Sequence, residues 1–468
     1  MNKREWMKRI ALAALGALVA PSLGACKAHP NIVYINIDDM GWKDLSCMGS
    51  EYYETPNIDR LAKRGLTFTD AYAPAANCAP SRACCMSGRY GPAHGIYTVG
   101  NSDRGKASQR KLIPIKNETV LPDQIVTLPE ALKAAGYATC HAGKWHLGPD
   151  PCTQGIDVNI GGREWGGPGG NGGYWNPGKF PNLTGEKGKD FLTDRLTDEV
   201  LEFIQSNKNK PFFLYFSPYA IHTPIMSKQE IREKYRRKEG SQGHDDANYA
   251  ALIETLDTNV GRILDTLDEL ALRERTFVLF TSDNGGMYRL TKQWPLRAGK
   301  GSYFEGGIRV PLLVRWPGRI KPGSRCDTPV TGVDYYPTFL DVANVPTPER
   351  KVLDGLSLVP LLTGQGELPP RPLFWHFPIY LQNGNPETHD MFFRTRPGSV
   401  VRHGDWKLHE YFEDGRLELY NLKEDIGETR NVAEQMPEKT EELHEMLLKW
   451  RKKTGAPVPA TRNPRYEG

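Results

Sequence analysis

Two pairs of oxygen-bearing side chains, Asp38-Asp39 and Asp283-Asn284, stand far apart in this 468-residue chain, each after an apolar run. Their side chains offer carboxylate and amide oxygens, the donors that hard cations such as Ca2+ or Mg2+ favour and that suit transition metals less well. A single aspartate is usually a turn or helix-cap residue; two pairs in matching positions point instead to a cation. Positive side chains accompany them. Lys144 and His146 are two apart, so an extended chain projects both to one side. Lys300 sits inside Gly299-Lys300-Gly301, and Arg82 falls one turn beyond Cys78 if a helix opens near Pro80. His222 adds an imidazole, a group fit for proton transfer near neutral pH.

These residues need elements to bring them together. Residues 31–37 (NIVYINI) are β-branched and apolar, the mark of a strand buried on both faces. Residues 55–65 read as a helix with Thr55 as N-cap, an early proline and a terminal glycine. Thr127-Leu128-Pro129-Glu130 is a capping box opening a second helix that Gly136 stops, and residues 137–141 return as a strand. Further strands are predicted over 212–216, 277–281 and 310–316. A long amphipathic helix between the first two of these presents Leu252, Ile253, Leu256, Val260, Ile263, Leu264 and Leu267 on one face. The alternation predicts an α/β fold with a mostly parallel sheet sandwiched by helices. Asp38, Asp39, His146, His222, Asp283 and Asn284 all follow predicted strands, and ligands of such sheets bind beyond the carboxyl ends of the strands.

After about Gly366 the texture changes. Residues 399–420 alternate like a meander turning at Glu413-Asp414-Gly415, and a helix follows over 437–453, which predicts a smaller C-terminal α+β subdomain. The expected division is 1–25 as an export signal, 26–366 as the catalytic domain and 367–468 as the subdomain, with a small antiparallel sheet and a helix. Residues 161–188 are glycine-rich and aperiodic and hold Trp165, Tyr174 and Trp175. They read either as a surface insertion or as a substrate-facing loop whose aromatics stack on sugar rings.

Residues 78–89 (CAPSRACCMSGR) resemble the signature of the type I, formylglycine-dependent sulfatases, arylsulfatase-like. Ile37-Asp38-Asp39-Met40-Gly41, Gly143-Lys144-Trp145-His146-Leu147-Gly148, Ile221-His222-Thr223-Pro224, Ser282-Asp283-Asn284-Gly285-Gly286 and Gly299-Lys300-Gly301 fall in that family's order over essentially the whole mature chain. The resemblance implies the alkaline-phosphatase-like fold and an exported enzyme that hydrolyses sulfate monoesters, above all O-sulfates of carbohydrates. It implies that a formylglycine-generating enzyme oxidises Cys78 to an aldehyde whose hydrate is the nucleophile. It further implies that Asp38, Asp39, modified Cys78, Asp283 and Asn284 hold Ca2+, with Mg2+ possible. Arg82 would hold the hydrated aldehyde and shield the metal's carboxylates. Lys144, His146 and Lys300 would meet the aldehyde and the sulfate, and His222 would protonate the leaving sugar oxygen. Two rival readings are a phosphate- or phosphonate-ester hydrolase of the same fold and a non-catalytic glycan-binding lipoprotein; a pure binder has no need of C-x-P-S-R. The chain departs from the family at Cys84, Cys85 and Ser87, where Ala, Leu and Thr are usual; these are swaps of tolerable volume.

The bulk properties set bounds on partners. The net charge is +4, of which the first 25 residues supply +3, so no basic stripe argues for nucleic acid. A basic run over residues 3–9 precedes an apolar stretch, 10–23, too short to span a bilayer, and Leu23-Gly24-Ala25-Cys26 resembles a bacterial lipobox. The expectation is export to the periplasm or cell envelope with a lipid anchor at Cys26 as the sole membrane contact; the alternative is ordinary signal cleavage near the same place, with Cys26 a spectator. Eight cysteines less the lipidated and the converted one leave six, whose fifteen pairings sequence cannot choose among. Cys84 and Cys85 read as small buried hydrophobes. No C-x-x-C spacing supports a cysteine zinc site. His94, His376 and His403 match no motif and read as structural.

Overall fold

The apolar run Asn31–Ile37 forms strand β1, buried along its whole length at the heart of an eight-stranded sheet. The computed structural model describes residues 29–467, so the expected export signal and Cys26 lie outside the described residues. The other strands of the sheet are β2 (Leu66–Phe68), β3 (Ala138–Gly143), β4 (Val158–Ile160), β5 (Phe212–Ser217), β6 (Thr276–Ser282), β7 (Leu312–Arg315) and β8 (Ser324–Cys326). Their spatial order is β4-β3-β5-β1-β6-β7-β2-β8. Strands β4, β3, β5, β1 and β6 are mutually parallel, β7 runs antiparallel to β6 and β2, and β8 is parallel to β2. The sheet is mostly parallel, as the alternation of elements requires.

Because successive strand residues face opposite sides, β1 feeds two cores. Val33, Ile35 and Ile37 pack with helices α1 (Pro56–Lys63), α4 (Leu192–Ser206) and α5 (Ala247–Glu269). Ile32 and Tyr34 pack on the other side with α2 (Cys78–Ser87), α3 (Leu128–Ala134) and α6 (Tyr335–Val342). The apolar stripe of α5 from Leu252 to Leu267 is buried in the first core. Thr127 caps α3 in the expected reciprocal box with Glu130. Thr55 differs: it precedes α1 but makes no side-chain cap, and its Oγ1 instead accepts the Ser46 N–H at 2.9 Å. Gly65 lies beyond the end of α1, and a Cβ there would come 2.2 Å from the Val314 carbonyl oxygen, so close approach to β7 demands it.

The C-terminal part forms an antiparallel sheet of β9 (Leu373–Phe377), β10 (Gly398–His403), β11 (Trp406–Tyr411) and β12 (Leu417–Asn421), in that order. Helix α7 (Pro437–Thr454) places Leu443, Leu447 and Trp450 against Phe374, Val401, Leu408 and Leu419. Cys84 of α2 belongs to the same cluster, so this core is continuous with the helix that begins at Cys78. The seven described cysteines are all free, with Cys84, Cys85 and Cys140 buried. Among the described residues no helix is long and apolar enough to cross a membrane.

A buried ion network joins β11 to the segment after Lys300. Lys407 Nζ lies 2.9 Å from Glu305 and 3.0 Å from Glu428, and Glu305 also accepts from Tyr72 Oη at 2.6 Å. Arg309 and Arg402 both grip Asp70, at 2.7 and 2.9 Å. Burial drives the Glu305 carboxyl up, but Lys407, Arg309 and Arg402 outweigh it and hold it at about 2. Removing one partner of such a pair leaves an uncompensated buried charge, which costs roughly 3–5 kcal/mol. Lys407→Met is therefore expected to lower the unfolding free energy by about that amount in urea denaturation. A change below about 1 kcal/mol would mean the two glutamates find other neutralisation.

Candidate active site

The central parallel strands deliver their chemistry at their carboxyl ends. Asp38 and Asp39 follow β1, Lys144 and His146 follow β3, His222 follows β5, and Asp283 and Asn284 follow β6. Cys78 is the first residue of α2. Donor atoms of Asp38, Asp39, Cys78 and His222 lie within 4.8 Å of one another.

Each buried carboxylate has its own cation. Lys144 Nζ donates to both oxygens of Asp38, at 2.9 and 2.8 Å. Lys300 Nζ reaches Asp39 at 2.6 and 2.8 Å. Arg82, one turn into α2, donates from Nε to Asp283 at 2.8 Å and from Nη1 to the Lys144 carbonyl at 2.8 Å, while its Nη2 stands 4.0 Å from Asp38. Asp39 adopts φ +67°, a conformation that aspartate tolerates better than most residues. That turn lets its N–H donate to Asp283 Oδ1 at 3.2 Å and its carboxylate accept from Asn284 Nδ2 at 2.8 Å.

These charges set the protonation states. Burial pushes Asp39 up, but Lys300, His222 and Lys144 hold it well below the ordinary carboxylate range. Burial pushes Asp283 up to about 6, against Arg82. Burial also lifts the Cys78 thiol to about 11, against the pull of Lys144 and Lys300, so an unmodified thiol here is neutral and weakly nucleophilic. Burial, and then Lys144 and Arg82, hold His146 neutral. His222 is pushed down to about 4 by burial and Lys300. Its Nδ1–H donates to the Thr223 carbonyl at 2.7 Å, which turns Nε2 toward Asp39 Oδ2, 3.7 Å away.

A hard cation fits this edge. Asp38, Asp39 and Asn284 meet there, and Asn284 Oδ1 is buried without a hydrogen-bond partner. Asp283 is more heavily committed, since its oxygens serve Arg82 and the Asp39 N–H.

The segment 161–188 lies on the two histidines through its glycines. A Cβ at Gly166 would stand 2.9 Å from His146 Cε1, and one at Gly167 would stand 2.7 Å from His222 Nδ1. Its aromatics anchor it to the core beneath. Tyr174 is buried and donates to the carbonyls of Tyr219 and His222 at 2.7 and 2.8 Å. Trp165 packs on Phe180 and Trp175 on Phe191. Trp165 and Trp175 are half-buried, so these contacts anchor a segment that has no periodic structure of its own while part of each indole stays exposed.

A pocket of about 260 Å3 opens over the cluster, lined by Cys78, His146, His222 and Lys300 and also by Arg104 and Arg394. Sequence reasoning missed these two arginines: each lies in a loop or short strand with no motif around it, and only the fold brings them here. His94 and His376 lie elsewhere, buried and hydrogen-bonded, His94 to the Ile96 N–H and His376 to Ser399 and the Pro457 carbonyl. His403 ends β10, half-buried.

A family model described as Sulfatase matches residues 30–345, and one described as N-sulphoglucosamine sulphohydrolase, C-terminal, matches 299–453. A sulfatase of Formosa agariphila is 33% identical over 97% of this chain and 95% of its own. The N-acetylgalactosamine-6-sulfatase of Canis lupus familiaris is 34% identical over 77% of this chain and 71% of its own. The crystal structure of Ps i-CgsB in complex with k-i-k-neocarrahexaose matches with a TM-score of 0.74 at 28% identity, covering 90% of this chain and 92% of that one.

Displacing either ring by its glycine neighbour tests the site. If His222 acts on the substrate, Gly167→Ala should cut turnover by about 10- to 100-fold, the cost of a small displacement of a reacting group. Gly170→Ala, whose new methyl group meets nothing within 4 Å, serves as the comparison and should change turnover less than about twofold. Equal effects of the two substitutions in the same assay would show that the ring contact is immaterial.

Proposed function

Because the chain belongs to the sulfatase family, shares the alkaline-phosphatase-like fold of its members and is a sulfuric ester hydrolase, we propose that it removes O-sulfate groups from carbohydrates, with a sulfated glycan or oligosaccharide as substrate. The sulfatase relatives at 33–34% identity support this reading over a phosphate- or phosphonate-ester hydrolase and over a non-catalytic binder. The observation that carries the proposal is the shared pocket of Cys78, His146, His222 and Lys300, open to a bulky alcohol on one side and closed by paired charges beneath. The sugar sulfate and the oligosaccharide in the names of the similar proteins support a carbohydrate leaving group.

Cys78 is the one cysteine of the eight followed by x-Pro-Ser-Arg, which supports its oxidation to formylglycine by a maturation enzyme. Asp38, Asp39, Asp283 and Asn284, with modified residue 78, would hold Ca2+ or Mg2+, which when bound polarises a sulfuryl oxygen. Lys300 lines the pocket and Lys144 lies on Asp38 beneath it, so both can offset negative charge on the sulfate. His146 lines the same pocket in the neutral state of a base. His222 is oriented by Thr223 so that Nε2 can carry a proton to the leaving oxygen, and a bound anion favours the charged ring that burial opposes. Export and an anchor at Cys26 belong to the same reading, supported by the basic run 3–9, the apolar stretch 10–23 and the lipobox-like sequence.

A panel of defined sulfated mono- and disaccharides, assayed as released sulfate, should yield at least one substrate. Chelation should abolish that turnover and Ca2+ or Mg2+ restore it; stoichiometric zinc in active enzyme would overturn the cation assignment. Peptide mass spectrometry of active enzyme should show loss of sulfur at residue 78, and an intact thiol there in fully active protein would end the formylglycine reading.

His222→Ala separates acid catalysis from sulfate binding. It should slow hydrolysis of sugar sulfates by about 100-fold or more, yet affect nitrophenyl sulfate far less, since nitrophenolate leaves with little protonation. Equal losses on both substrates would assign His222 to binding alone.

A further inference from the structure

Arg104 and Arg394 line the pocket, and neither forms an ion pair with a carboxylate among the described residues, although the charge of Asp39 favours that of Arg394 from a distance. Arg371 and Arg396, half-buried like them, are paired, the first with Asp334 and the second with Asp390 and Glu413, while half-buried Arg297, outside this pocket, donates to the Glu387 and Glu428 carbonyls. Arg394 is fixed by two backbone acceptors, the Gln382 carbonyl at 3.0 Å from Nε and the Lys300 carbonyl at 3.2 Å from Nη1. It is thereby tied to the loop that carries Lys300, with Nη2 left over. Gly301 next to it has φ +86°, and a Cβ there would stand 3.3 Å from Arg394 Nε. Arg104 donates from Nη1 to the Val99 carbonyl at 3.3 Å. Burial disfavours the charge on each guanidinium, and Arg104 further disfavours that of Arg394, so the two positive charges feel one another.

Two partly desolvated, mutually repelling guanidiniums are costly unless an anion joins them. On the reading above, Lys300 and Lys144 serve the scissile sulfate, and a sulfate monoester carries a single negative charge. The planar fork of arginine suits a carboxylate or sulfate, which it meets through paired N–H bonds. We propose that Arg104 and Arg394 form an anion subsite beside the scissile-sulfate position, so that the preferred substrate is a sugar with a second negative group, a further sulfate or a uronate carboxylate. This rests on the carbohydrate-sulfatase reading above.

The test uses the full chain with Cys78→Ala, which cannot turn over, and calorimetric titration. The probes are galactose, N-acetylgalactosamine and N-acetylglucosamine monosulfates, the corresponding disulfates, and disaccharides joining each monosulfate to glucuronate or to neutral glucose. The tightest ligand should be dianionic and bind about tenfold or more better than its monoanionic counterpart, as charge-assisted hydrogen bonds imply. The disulfate and glucuronate arms tell which anion is read. Adding Arg104→Gln and Arg394→Gln should bring that ratio below about threefold, while Arg104→Lys and Arg394→Lys should retain part of it. Circular dichroism and melting temperature confirm that each variant is folded. A monoanionic sugar as the tightest ligand, a ratio below threefold in the unsubstituted pocket, or a ratio that survives the double glutamine substitution would each overturn the subsite. Sulfate release by the mature enzyme from the same panel reads the reaction separately: release with no dianion preference overturns the subsite alone, and no release from any sugar overturns the carbohydrate reading.

Discussion

Burying Asp38, Asp39 and Asp283 side by side is the constraint on which the rest of the molecule depends. An ionised carboxylate removed from water costs several kcal/mol unless a counter-charge meets it with good geometry. Here each is met by a separate element: Lys144 from the end of β3, Lys300 from the loop after β6, and Arg82 from α2. None of these elements can shift without exposing a charge inside the protein. The phase of α2 about its axis is fixed by Arg82, and that phase decides where Cys78 points. The loop bearing Lys300 is in turn fixed by Glu305, which the C-terminal sheet holds through Lys407.

The same constraint explains why α2 is buried throughout, a rare condition for a helix with an arginine in it. Its amino terminus lies among the carboxylates, where the partial positive charge of the helix end opposes their mutual repulsion. Asn77 in the cap position makes no side-chain cap and instead donates to Thr98 at 3.1 Å, which leaves the first turn open toward the pocket. The helix therefore serves both as a wall of the second core and as the mount for residue 78.

Much of this was legible in the sequence because it is written locally. Strands buried on both faces show as continuous apolar runs, and β1, β5 and β6 appear almost to the residue; the α5 stripe and the Thr127–Glu130 box are equally local. Asp38-Asp39 and Asp283-Asn284 were readable because the turn after a strand is contiguous with it. What escaped depends on partners remote in the chain. Thr55 serves Ser46 rather than its own helix, and Gly65 is demanded by a carbonyl on β7. Arg104 and Arg394 look like ordinary surface cations until the fold closes over them. The inward turn of Tyr174 is set by core space that no window of residues 161–188 reveals.

Glycine-rich surface segments commonly absorb insertions and deletions without harm. The contact of Gly166 with His146 and of Gly167 with His222 denies that freedom to this one. Its neighbours on either side are Trp165 and Pro168, so a slip of one residue in either direction sets a bulky ring where backbone alone fits. Tyr174 pins the far side of the segment to the Tyr219–His222 turn and so blocks the slip from being taken up there. What this loop must keep is its count of residues between two fixed points, and a length change on its amino-terminal side would be felt at His146 and His222, although the loop itself lies outside every strand end that carries them.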